Sequence, residues 1–221
     1  MLTKRLFDLE KISNALKGFQ TAFPEINSRL EVRREDVTDT MISQILQSYT
    51  FLNSLLRLNM DLFTPAGLYN LLELNHIVLC GTDQQTRLDY YSHLNETRKG
   101  FIKKILPIKE WVLEKKNEKD PFKIATGYYS RALSQPQLFI EGNHRTGNII
   151  LNYLLVSAAT PPYIISAQTA LQYLDLSSDI KYTNKENSLQ SAWMMPGHRK
   201  RFQEFLKNNV SEGFLQGVGS K

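Results

Sequence analysis

The chain has 221 residues, 42% of them hydrophobic and 22% charged, with a formal net charge of +5. That balance is ordinary for a globular protein with one generous core, or one domain with a small appendage, and no repeat or low-complexity stretch interrupts it. The lone Cys80 excludes disulfide and Cys-cluster metal chemistry, and the four histidines (His76, His93, His144, His198) show no metal-ligand spacing.

Residues 98–119 hold eight Lys/Arg against Glu110, Glu114 and Glu118, which equals the whole formal excess. The plain reading is a solvated helix face; the sharper one is a docking face for an acidic partner. No aromatic stacking series is interleaved with those charges, so nucleic acid is not the expected partner. The opening MLTKRLFDLEKIS lacks the apolar core of a signal peptide. The longest apolar stretch, from Ile149 to Ala159, is short and contains Asn152 and Ser157, so it does not span a membrane. A cytoplasmic location is the expectation.

Leu2, Leu6, Leu9, Ile12, Leu16 and Phe19 recur at helical spacing, and Pro24 is expected to close that element. A second helix is predicted to open near Asp36, with Val37, Met41, Ile45, Tyr49, Leu52 and Leu56 on its apolar face. Thr64-Pro65 predicts a cap and first turn, with Gly81 as the stop after Cys80. Residues 82–97 are polar with a short alternation through Leu88, Tyr90 and Tyr91, read as a loop or small hairpin. Helices follow at about 108–118 and from Asp120-Pro121, while Pro136 and Gly142 keep residues 134–143 from being helical throughout. Ile149, Ile150, Tyr153 and Leu154 mark a strongly buried helix, broken by Pro161-Pro162, and two or three more helices reach about Asn209. The glycine-rich tail is predicted to fray. The fold class is therefore all-α, divided into an amphipathic N-terminal helix (1–25), a main domain (26–209) and a flexible tail (210–221).

The segment Phe139-Ile140-Glu141-Gly142-Asn143-His144-Arg145-Thr146-Gly147-Asn148 carries the chemistry. Glycine allows a sharp turn and close approach to a ligand, and N–H groups at a helix start form an anion nest favoured by the helix dipole. Arg145 adds a forked, charge-assisted contact to phosphate oxygens. Glu141 is a hard oxygen ligand able to share Mg²⁺ with those phosphates.

This segment resembles the motif of the Fic (Fido) family, His-Pro-Phe-x-(Asp/Glu)-Gly-Asn-Gly-Arg-x-x-Arg. Phe139, Glu141, Gly142, Asn143 and Arg145 match it in register. Trp111 ahead of a Pro121-x-x-x-Ala125 helix, Pro161-Pro162 after the buried helix, and Glu73-Leu74-Asn75-His76 with Leu79-Cys80-Gly81 extend the likeness over about residues 26–206. The resemblance implies a helical bundle with a small β-hairpin flap that aligns a target protein beside ATP and Mg²⁺. It also implies transfer of AMP to a protein hydroxyl, as in bacterial protein adenylyltransferases. Glu141 would hold the metal. Gly142, Asn143, His144, Arg145, Thr146, Gly147 and Asn148 would surround the phosphates, and Asp89, Tyr90, Tyr91 and His93 would belong to the flap.

Three departures from the family pattern matter. Gln137 stands where the family has its histidine base, and a neutral amide does not accept a proton near pH 7. His144 replaces the second glycine, as lysine does in the related Doc toxins, which transfer the terminal phosphate; it is also a poorly placed alternative base. Asn148 replaces the last arginine, so Glu31, in the segment Asn27 to Val32 that resembles the family's inhibitory helix, lacks a charged partner. The readings that remain are a non-standard transferase of AMP or phosphate, a pseudoenzyme or protein-binding module, and a hydrolase that removes such a modification. The N-terminal helix could pack on its own domain, a second copy or an antitoxin-like partner.

Overall fold

The computed structural model describes residues 5–187 and 189–217. Among them, nine α-helices run in chain order: α1 (Leu9–Arg29), α2 (Asp39–Arg57), α3 (Pro65–Cys80), α4 (Gln84–Asp89), α5 (Tyr91–Glu114), α6 (Pro121–Leu133), α7 (Asn143–Ser157), α8 (Ala170–Lys181) and α9 (Met195–Asn209). A π-turn over Gln190–Met194 and a 3-10 turn over Glu212–Phe214 complete the set. Extended pairing among the described residues is confined to two isolated bridges, Phe7 with Leu215 and Gln135 with Asn184. The all-α expectation holds, and no described helix is long and apolar enough to cross a membrane.

Capping residues set most helix starts. Asp8, Thr38, Thr64, Asp83 and Asp120 each accept from a backbone N–H two or three residues on, which satisfies donors the helix itself leaves open. Pro65 and Pro121 occupy the first turn, where a missing N–H costs nothing.

α7 is the central helix. Ile149, Ile150, Tyr153 and Val156 face a core shared with α2, α3 and α5, whereas Leu151 and Leu155 face a second core built with α1, α6, α8 and α9. A helix apolar on all sides is stable only when buried on all sides. Each of these side chains contributes roughly 2 kcal/mol by leaving water. The second core is rich in rings: Tyr129 stacks on Phe202 at 4.7 Å, and its hydroxyl is 2.9 Å from that of Tyr173. Trp111 lies under the guanidinium of Arg131, 3.8 Å from its ring centre. Trp193, on the π-turn, is 81% exposed.

Four expectations are corrected. Pro24 does not end α1, and Pro107 lies inside α5, which starts at Tyr91 rather than near Ile108. A proline in a helix interior costs about 3 kcal/mol, but both rings face outward while Phe23 and Ile26, and Ile105 and Ile108, anchor the flanking turns in the cores. α1 therefore crosses the boundary drawn between residues 25 and 26, and it packs on both cores.

The third correction concerns residues 82–97, which form α4 and the first turns of α5 instead of a hairpin flap. Asp83 accepts from both the backbone N–H and the hydroxyl of Thr86 at 2.8 Å and starts α4. Leu88, Tyr90 and Tyr91 are all exposed, so their alternation never faced a core. Fourth, the tail is ordered at least to Gln216. The Asp8 N–H donates to Phe214 O, the Gln216 N–H donates to Leu6 O, and Leu215 is buried. Residues 218–221 of the tail, and residues 1–4 of the first helix expectation, lie outside the described residues.

Candidate functional site

The segment joining α6 to α7 is built around two anchors. Phe139 is buried and stacks parallel on Phe101 of α5 at 5.6 Å. The Asn143 amide folds back on Phe139, accepting from its N–H at 2.9 Å and donating to its carbonyl at 2.9 Å. Gly142 then turns the chain in the left-handed region, φ +73°. A side chain there would press on Leu79 and Asn75 at 3.1–3.2 Å, so the position needs glycine for both conformation and space. Asn75 of α3 ties the turn down, donating to Glu141 O at 2.9 Å and Thr146 Oγ1 at 3.1 Å.

The first backbone bond of α7 runs from Thr146 N–H to Gly142 O, and no side chain caps the helix. The N–H groups of Asn143, His144 and Arg145 therefore precede the helical ladder at the positive end of the dipole. Arg145 Nη1 donates to Val78 O at 3.0 Å, which brings the guanidinium to the negative end of α3. Burial lowers its pKa, opposed by Glu141 and Glu35, yet a guanidinium stays charged at any ordinary pH.

This loop forms one wall of a cleft of about 500 Å³. The floor is apolar, from Leu16, Phe19 and Phe23 of α1 and Met41 and Ile45 of α2, with Ile149 and Ile164. The rim carries Arg33, Arg34, Arg145 and Lys181 against Glu35 and Glu141. Arg34 is held in place: Asn27 clamps its backbone with two amide bonds (2.8 and 2.9 Å), and Nη2 donates to Ser178 Oγ and Leu174 O.

The structure brings Gln137, Glu141, Gly142, Asn143, His144, Arg145 and Asn148 to this one cleft. Thr146 and Gly147 are not part of it. Thr146 is fully buried with its hydroxyl bonded to Asn75, and Gly147 faces the Tyr129 ring, so both serve packing. The Asn143 side chain is spent on the loop itself. Gln137 donates to Leu133 O at 3.1 Å and accepts from Asn143 at 3.4 Å.

Glu31 does not line this cleft; it borders an adjoining depression with Asp175, Asp179 and His198, where burial first, then Glu31 and Asp179, raise the Asp175 pKa. Of Asp89, Tyr90, Tyr91 and His93, only His93 reaches the loop, its Nε2 lying 3.6 Å from Glu141 Oε2. Asp89 accepts from Gln85 within α4, and the two tyrosines are exposed.

No family model matches the chain, and no curated protein matches it in sequence.

Arg33, Arg34, Glu35 and Lys181 were missed by sequence reasoning. The first three directly follow the Asn27–Val32 segment, and the run of paired arginines with a glutamate was a usable signal; Lys181, at the end of α8, had none. Among the described residues no group of three or more His, Cys, Asp or Glu is placed to hold a metal. A cation at the loop would have Glu141, half exposed, as its carboxylate, and would need phosphate oxygens and water for its remaining ligands. That donor set fits Mg²⁺ arriving with a polyphosphate.

Two histidines are held neutral. Burial keeps His144 well below the ordinary histidine range, and Arg34 and Lys181 push it the same way. His76 on α3 is lowered to about 4, by burial first, against Glu73, with Arg98, Arg87 and His93 adding to the fall. Between about pH 6.5 and 4 the unfolded chain binds protons that folded His76 does not, so stability is full above that range and falls as pH drops through it. Denaturant unfolding is expected to show a loss of about 2 kcal/mol from this group at pH 5. His76→Gln should flatten the profile between pH 7.5 and 5; an unchanged slope would contradict the assignment.

Proposed function

We propose that this is a Fic-like protein whose cleft binds the phosphates of a nucleotide at the Glu141–Arg145 loop and that it lacks histidine-driven AMP transfer. The observation that carries the reading is the meeting, in one cleft, of the open N-terminal turn of α7 with the cations Arg33, Arg34, Arg145 and Lys181. A volume of about 500 Å³ suits a nucleotide-sized ligand. The apolar floor suits a base and sugar, and the cationic rim suits the polyphosphate. Glu141 would hold Mg²⁺ against those phosphates, supplying further charge neutralisation at the loop.

Catalysis is the weak link. Gln137 occupies the position of the family's base, its amide is committed to Leu133 and Asn143, and it cannot take a proton. Loss of a general base removes roughly 10²–10⁴ in rate. Those bonds favour a pseudoenzyme that signals by occupancy over a transferase of AMP or phosphate.

Calorimetry with ATP and Mg²⁺ should give binding that Arg145→Ala weakens about tenfold or more, the worth of a charge-assisted contact. With ATP labelled at the α- or γ-phosphate and a cell lysate, wild type should leave proteins unlabelled, while Gln137→His gains α-label. Absence of ATP binding would overturn the nucleotide reading. Label in wild type that disappears in Arg145→Ala would overturn the silent-catalysis part alone.

A further inference from the structure

His144 sits in the cleft wall with both ring nitrogens closed off from solvent and without a hydrogen-bond partner. A neutral imidazole has one donor and one acceptor, and leaving either unmet in the interior costs roughly 1–3 kcal/mol. Arg34 and Lys181 act on the ring electrostatically, from the 30–38 loop and from α8. Arg34 cannot simply retreat, because Asn27, Ser178 and Leu174 hold its backbone and guanidinium. Arg33, Glu35, Glu141 and Arg145 complete the charges around the same cleft, with the Tyr173 and Tyr182 side chains on the α8 side. With His144 neutral, four cations against two carboxylates leave two positive charges, the complement of a phosphate dianion.

We propose that His144, Arg34 and Lys181 form an anion subsite on the α8 side of the cleft, which takes a phosphate dianion and draws a proton from solvent onto His144 as the anion enters. The subsite rests on the reading of the cleft as a phosphate site. Without an anion, a third positive charge beside Arg34 and Lys181 is unfavourable. An incoming dianion reverses that balance, because opposite charge at close range favours the protonated ring. Once the ring turns to bring a nitrogen into the cleft, protonated His144 offers an N–H donor to a phosphate oxygen, which meets the need its closed-off nitrogens have. Binding and proton uptake are thereby linked, and the affinity climbs as pH falls, by at most about tenfold per pH unit for one proton.

The test is calorimetric titration of the full chain with inorganic pyrophosphate near pH 6.5, in two buffers of different protonation enthalpy. Wild type is expected to take up more protons than His144→Gln, by up to about one per site. Lys181→Ala is expected to weaken pyrophosphate binding roughly fivefold to tenfold and to retain the uptake. The imidazole NMR signals of wild-type His144 should move toward the imidazolium position on addition of pyrophosphate. This second readout keeps the idea testable if His144→Gln does not fold. Binding with equal proton uptake in wild type and His144→Gln, or with unmoved ring signals, would overturn the subsite and leave the cleft reading intact. Failure of both pyrophosphate and ATP to bind would overturn both together.

Discussion

Replacing Asn152 by leucine is expected to lower the Tm by about 12 °C, as the loss of roughly 4 kcal/mol in a chain of this size. Asn152 is fully buried in the middle of α7. Its Nδ2 lies 2.7 Å from Tyr163 O, 2.8 Å from the Tyr49 hydroxyl and 3.2 Å from Asn148 Oδ1, and its Oδ1 accepts from Tyr163 N–H at 2.8 Å. One amide thus satisfies the backbone after the Pro161-Pro162 break and ties it to α7 and α2. Leucine has nearly the same volume but leaves the Tyr163 N–H and carbonyl unpaired in the interior. Thermal melts of Asn152→Leu beside Ser157→Ala, whose hydroxyl is exposed and bonds only within its own turn, measure the effect. A drop of under 3 °C would show that water replaces the amide. Tyr49 and Asn148 both line the cleft, so the variant should weaken ATP binding as well.

A comparable loss, about 3 kcal/mol or 9 °C in Tm, is expected for Gly67→Ala. Gly67 lies in the first turn of α3, and a methyl there would fall against the Asp61 carbonyl and 2.6 Å from the Leu62 backbone. Backbone is the obstacle, so no rotamer change relieves it. The turn is also pinned: Asp61 accepts from Phe63 N–H, and the Tyr153 hydroxyl donates to Met60 O. Gly100→Ala in the interior of α5 is the control, since its added methyl meets nothing within 4 Å. Helix propensity predicts that Gly100→Ala raises stability by roughly 0.5–1 kcal/mol. Opposite signs for the two substitutions in one melting series are the expected result; equal signs would contradict the packing at Gly67.

Where local chemistry decides structure, the chain was readable. Thr64-Pro65 and Asp120-Pro121 start helices because a capping oxygen and a proline in the first turn act within a few residues. Gly81 stops α3 for an equally local reason, a positive φ of 65°. The motif from Gln137 to Asn148 led to the cleft, although Thr146 and Gly147 turned inward, since position along a helix sets which face a residue occupies. Tertiary packing decided the cases that misled. Buried neighbours outweigh the penalty at Pro24 and Pro107. The alternation at Leu88, Tyr90 and Tyr91 looked like a strand but had no core to face. Lys181 reaches the site from α8, and no spacing along the chain announces a contact made across the fold.

The two tryptophans occupy opposite surroundings, one beneath the Arg131 guanidinium and the other on the outer side of the π-turn. Their fluorescence is therefore separable: Trp193 should emit at longer wavelength and be quenched more strongly by iodide than the partly buried Trp111. The chain thus carries two built-in optical reporters, one for anything that settles on the π-turn and one for the packing between α5 and α6, and neither requires an added label.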